Sequence, residues 1–221
     1  MADFSTQIRA QSAIQRFVAK GHRFYLSGKV ISKSELDALH GKYKELFGTD
    51  LSPSKKHYRK KCGLPTASWV SAPLSKGEID GGYIWFLLMT GINWEGHSPA
   101  RVVKDAWNPQ QRLVFGDYVL HLASRHRLQG GGLRWSWYIV PKVQKELEHY
   151  ISYCLKQASG ELGPFFDMQI KRPLHHGVRH YISRLLRRAH QSFCKIHPGK
   201  KWPARDPGLP LPFISGFKAD D

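Results

Sequence analysis

Tyr83-Ile84-Trp85-Phe86-Leu87-Leu88-Met89 is the most apolar run in the chain, and how it is read settles the fold class. Taken over Glu78 to Thr90, residues Ile79, Tyr83, Phe86, Leu87 and Thr90 fall on one face at helical spacing, and the stretch is apolar nearly all round. That pattern predicts a buried helix at the centre of a first core. The run is far shorter than a bilayer span, and the polar start Met1 to Thr6 carries no signal peptide, so a cytoplasmic protein without a membrane segment is expected.

Upstream, Ile14, Phe17, Val18, Gly21 and Tyr25 predict a first helix over about 5–26. Gly28-Lys29 interrupts it, and Ser32-Lys33-Ser34-Glu35 has the spacing of a capping box. A second helix is predicted to Phe47, with Leu36, Leu39, Tyr43 and Leu46 as its stripe and Gly48 as its stop. Helix, turn and capped helix together give a helix-turn-helix layout. Ser52-Pro53 then opens either a short basic helix or a basic loop, and Gly63 to Pro73 reads as irregular around Trp69.

Downstream, Ser98-Pro99 and Asn108-Pro109 look like cap and first-turn pairs, which places helices at about 99–107 and 109–127. After Gln129-Gly130-Gly131-Gly132, Leu133, Trp135, Trp137 and Ile139 alternate with Arg134, Ser136 and Tyr138 as one strand. Val143 to Leu155 and Val178 to Phe193 mark two further helices. The expected fold is mainly α: a helical body over 1–128, a small basic α+β lobe over 129–197, and a Pro/Gly-rich extended tail over 198–221.

Charge carries the functional signal. Lys and Arg outnumber Asp and Glu 34 to 17 in 221 residues, a net +17, and no acid occurs from Lys171 to Arg205. Such a balance favours a phosphate-rich partner over a membrane surface or a merely solvated one. One focus is Lys55, Lys56, Tyr58, Arg59, Lys60 and Lys61. The other comprises Arg179, Arg184, Arg187, Arg188, Lys195, Lys200 and Lys201, with Arg134 on the strand between them. On the last helix the apolar stripe leaves Arg184, Arg187, Arg188, Gln191 and Lys195 on the opposite side, the arrangement expected of phosphate contacts.

Other chemistry finds little support. Cys62, Cys154 and Cys194 are widely spaced and odd in number, which suggests a reducing compartment. His175, His176, Cys154, Cys194 and His197 match no tetrahedral ligand spacing, so no metal or other cofactor is expected. Neither His121 and His126 near Asp117 nor Glu146 and Glu148 form a nucleophile–base or metal–carboxylate motif, and no phosphate loop surrounds Pro198-Gly199-Lys200-Lys201. No catalytic residue is assigned, and a non-enzymatic role follows. A mobile-element nuclease or relaxosome protein and an RNA-binding or ribosome-associated protein remain as alternatives.

Several segments in order carry a resemblance: Ala13 to Leu26 with Gly21-His22-Arg23, Ile31 to Gly48, Ser52-Pro53, Gly63-Leu64-Pro65 with Trp69, Trp85 to Gly91, and Leu113 to Leu128. From about Ala13 to Val140 the chain resembles FlhC, the larger subunit of the bacterial flagellar master activator, and its relatives in conjugative elements. The resemblance implies a DNA-binding transcriptional activator subunit in a hetero-oligomer with an FlhD-like small helical subunit, acting on double-stranded promoter DNA with RNA polymerase. It departs at Gly130 to Trp137, where the family's four zinc-holding cysteines are missing. The expectation is that apolar residues such as Trp135, Trp137, Leu147 and Phe193 stabilise that lobe without metal.

Overall fold

The computed structural model describes residues 4–74, 81–92, 103–124, 132–157 and 160–212. The expected helix start at Glu78, the Ser98-Pro99 pair, His126, Gly130-Gly131 and tail residues 213–221 lie outside the described residues. In chain order the elements are α1 (Phe4–Ala19), β1 (Phe24–Val30), α2 (Lys33–Phe47), α3 (Pro53–Lys61), β2 (Ala67–Pro73), β3 (Tyr83–Met89) and β4 (Lys104–Asp105). Then follow a 3-10 turn (Pro109–Gln111), β5 (Val114–Phe115), β6 (Tyr118–Ser124), β7 (Leu133–Ile139), α4 (Pro141–Lys156), α5 (Leu162–Ile170) and α6 (His176–Ile196).

The fold is α+β, with two antiparallel sheets, and not mainly α. The decisive run, Tyr83 to Met89, is a strand in a sheet ordered β2-β3-β1-β4. Its last six residues are buried, because both faces of the sheet are covered. Trp85, Leu87 and Met89 share a cluster with Leu36 and Phe47 of α2, a cluster in which α1 has no part, while α1 packs against β2 and β3. A strand covered on both faces loses the polar alternation that identifies an amphipathic strand.

The helix-turn-helix is not formed. The first helix stops at Ala19, and the residues expected to continue it enter β1, which pairs antiparallel with β3 from Phe24↔Met89 to Val30↔Tyr83. Gly28, read as a break, lies inside this strand. A Cβ there would sit 2.8 Å from the Trp85 ring, so the close approach of β1 to that indole requires glycine. The second helix is as expected. Ser32 caps it by accepting from the Glu35 amide at 3.2 Å, while the Glu35 carboxylate accepts from Ile31 N at 3.1 Å, one residue outside the box. Gly48 closes it in the left-handed conformation.

Three further expectations change. The irregular stretch after Gly63 contains β2. Among the described residues of the helices placed at 99–107 and 109–127, only the 3-10 turn capped by Asn108 forms, its side chain accepting from Gln110 N at 3.0 Å. The same stretch holds β4, β5 and β6, with Phe115 paired to Tyr118 across Gly116-Asp117. The C-terminal lobe, expected as one strand and two helices, holds three helices, and β7 joins the sheet β5-β6-β7.

The chain forms two compact units, residues 1–113 with 122–135, and residues 114–121 with 136–221, so the division falls inside β6 and β7. The first centres on the sheet of β1 to β4 with α1 and α2. The second buries Trp137, Leu120, Ile139, Phe166 and Ile182 together with the inner face of α6. Residues 198–212 belong to it: Trp202 meets Phe193 edge-on at 5.4 Å and Leu211 is buried. No described helix is long and apolar enough to cross a membrane.

Candidate nucleic-acid interface

The helix α6 runs for 21 residues, with Val178, Tyr181, Ile182, Leu185, Leu186, Ala189 and Phe193 buried. Its start is docked on β7. Gly177 donates its amide to Ser136 Oγ at 3.1 Å, supplying the cap that His175 does not. A Cβ on Gly177 would lie 2.5 Å from the Trp137 carbonyl oxygen. Because the inner face is fixed in this way, the outer one is fixed too.

Arg184, Arg187, Arg188, Gln191 and Lys195 are all exposed. From 184 to 195 they cover about 16 Å of helix. Arg187 Nε donates back to Ser183 O at 3.3 Å, and the Arg184 guanidinium lies 5.7 Å from the Tyr181 ring centre. The helix itself contains no acid. A carboxylate reaches it from α4, where Glu148 accepts from the Tyr181 hydroxyl at 3.2 Å. Lys195 lies in the last turn, where a cation also suits the helix dipole. Lys200 and Lys201 follow, both exposed.

Arg179 does not join this stripe. It is half-buried, and desolvation lowers its pKa. Arg134 is exposed on β7 and falls in the first unit, so it is described apart from α6.

The basic cluster at 55–61 is a helix, α3, capped by Ser52 and opened by Pro53. Its cations divide by task. The Lys56 ammonium donates to Thr49 O at 2.9 Å and Ser68 Oγ at 3.3 Å, and burial lowers its pKa. Arg59 Nε donates to Pro65 O at 3.0 Å, and Lys60 Nζ to Lys20 O at 3.3 Å. Lys55, Tyr58 and Lys61 point outward, with Tyr58 68% exposed. Half of this cluster therefore anchors the helix to its surroundings.

The sequence did not reveal a convergence around His22. This imidazole is buried, with Nδ1 3.1 Å from Phe17 O and Nε2 3.4 Å from Ser68 Oγ. Burial, reinforced by the ammoniums of Lys60, Lys56 and Lys20, pushes its pKa down to about 4. Ser68 thus sits between an imidazole and a lysine, a pairing that elsewhere activates a hydroxyl. Here Ser68 is 2% exposed, so the trio joins β2 to its neighbours and presents no nucleophile to solvent.

The remaining candidates are scattered. Asp117 pairs with Arg172 at 2.9 Å, His121 contacts Tyr138, and Glu146 and Glu148 are exposed on α4. The three cysteines are free. Cys154 is buried, and Cys194 lies 3.7 Å from His190. His197 Nε2 lies 2.7 Å from Leu155 O. Among the described residues no group of three or more His, Cys, Asp or Glu is placed to hold a metal ion. No known protein family, curated protein or solved structure matches the chain, so what the site does follows from its own geometry.

Proposed function

We propose that this protein binds nucleic acid, duplex DNA in particular, through the phosphate backbone, with the outer face of α6 as the principal contact. The observation that supports this is the acid-free stripe of Arg184, Arg187, Arg188 and Lys195 on a helix locked by its inner face. Solvated surfaces intersperse both signs of charge, and a one-sign stripe creates a field that attracts phosphates. Arginine suits the task because its planar fork matches two phosphate oxygens at once. Lys55, Lys61 and Tyr58 on α3 form a second exposed set of the same character in the other unit.

The narrower role of a promoter-bound activator subunit with a small helical partner has the order of segments in its support. Among the described residues the expected helix-turn-helix is replaced by α1, β1 and α2.

The test is anisotropy of a labelled duplex titrated with protein over a range of salt. Changing Arg184, Arg187 and Arg188 to Ala should weaken binding to unrelated sequences alike and reduce the salt slope by about 0.9 per lost contact, or roughly 2–3 in all. The three side chains are exposed, so the thermal midpoint should hold. An unchanged slope would remove α6 from the interface, and preference for A-form RNA over the same DNA duplex would change the partner.

A further inference from the structure

The C-terminal end of α1, the end of α3 and the residues just after β3 open onto one cleft of about 450 Å³. This lies within the range of small-ligand sites. Lys20 and Lys60 supply the charges that line it, and no carboxylate does so among the described residues. Leu64, Pro65 and Ile92 give it an apolar side, and Thr90 stands among them.

The charge lining the cleft is also concentrated. One proton of the Lys60 ammonium goes to the Lys20 carbonyl at 3.3 Å, leaving two donors by the chemistry of the group. The orphan carbonyls at the end of α1 account for one cation there. They do not account for a second, Lys20, lining the same cleft beside Lys60, both near enough to the buried His22 ring to help depress its pKa. Bringing like charges together beside a hollow costs the free protein energy that an anion would return. A doubly charged phosphate monoester fits that need, and an attached ring fits the apolar side.

We infer that this cleft binds a nucleotide, its phosphate held by Lys20 and Lys60 and its base and sugar resting on Leu64, Pro65 and Ile92. The site is separate from α6 and does not rest on the reading of that helix. The same chemistry has two sources, a free mononucleotide or the 5′-phosphorylated end of a strand.

The experiment is calorimetry on the full chain with adenosine monophosphate, adenosine and inorganic phosphate. The monophosphate should bind about tenfold or more tightly than either fragment of it, as the loss of a charge-assisted contact or of the ring's burial implies. Lys20→Gln and Lys60→Gln should each weaken it by about tenfold or more. The variant with Arg184, Arg187 and Arg188 changed to Ala should bind it normally, which separates this result from that of the proposed DNA interface. Lys20→Gln keeps the carbonyl that Lys60 uses, so it reports on the cleft even if Lys60→Gln disturbs the fold. A 5′-phosphorylated tetranucleotide binding more tightly than the monophosphate assigns the cleft to strand ends, and the reverse assigns it to free nucleotides. No heat with the monophosphate, equal binding of inorganic phosphate, or indifference to both lysine variants would overturn the inference.

Discussion

Two histidines show how burial sets chemistry at single positions. His22 in the first unit and His175 in the second are both pushed down to about 4, His22 by burial and three nearby ammoniums, His175 by burial alone. In the folded protein each stays neutral where the unfolded chain takes up a proton. The stability this gives is therefore complete above the ordinary histidine pKa of 6.5 and is lost as pH falls from there toward 4. Each shift corresponds to about 3 kcal/mol, of which roughly 2 kcal/mol is lost between pH 7 and 5. His22→Asn, which has no titrating group but can still donate toward Phe17 O, should flatten the fall in urea-unfolding free energy over that interval by about this amount. A fall as steep as in the parent would show that His22 is not held neutral. A second residue-scale test concerns Gly28. Its Cα faces the Trp85 ring, which is itself stacked on Trp69 at 5.3 Å with His40 beyond at 5.1 Å, so the indole has little room to yield. Gly28→Ala should cost about 1–3 kcal/mol by overpacking. A urea midpoint equal to the parent's would mean that the stack moves freely.

At the scale of elements, the chain states some pieces clearly and conceals others for a physical reason. Helices α2, α4 and α6 each have one buried and one wet face, and so each writes its period into the sequence, whereas β7 alternates in sequence yet leaves Leu133 exposed and buries Ser136. Strand β3 has α1 on one side and α2 on the other, so seven apolar residues in a row carry no period at all. The length of seven, with Gly82 before it and Gly91 after, is the available sign of a strand, because short apolar runs bounded by glycine are strands as readily as helices. Gly116-Asp117 between Val114-Phe115 and Tyr118-Val119 is a second such sign, a two-residue hairpin signal that competes with the Asn108-Pro109 cap and prevails. The basic stripe of α6 is legible because it is the complement of that helix's apolar face. The division of labour within α3 is not, since the acceptors of Lys56, Arg59 and Lys60 lie outside that helix. The cap of α6 is likewise supplied from elsewhere, by Ser136 of β7. Ser136→Ala should cost about 1 kcal/mol, as for a lost helix cap whose buried amide is left unpaired. It should also lower DNA affinity only in step with that loss of stability. Equal stability of the two proteins would show that water replaces the hydroxyl.

For the whole molecule, the consequence of an interleaved chain is that the second unit cannot be excised by cutting after the helical body expected to end at residue 128. That unit includes 114–121, where Phe115, Tyr118 and Leu120 are 3%, 3% and 0% exposed. Phe115 lies against Trp137, the Asp117 carbonyl accepts from Val140 N at 2.9 Å, and the Asp117 carboxylate pairs with Arg172. Burying the three apolar side chains contributes on the order of 2 kcal/mol each, comparable in total with the whole stability of a small domain. A fragment of residues 112–221 should therefore unfold cooperatively in urea and keep the salt-dependent DNA binding attributed to α6. A fragment of residues 129–221 has the same helices and nearly all the same positive charge but lacks β5 and the whole of β6, so it should unfold without a sharp transition. Its charges would still attract DNA, but from a helix no longer held with its arginines on one face. Its affinity at raised salt should accordingly fall below that of the longer fragment. Equal cooperativity in the two fragments would place the boundary of the second unit after residue 128.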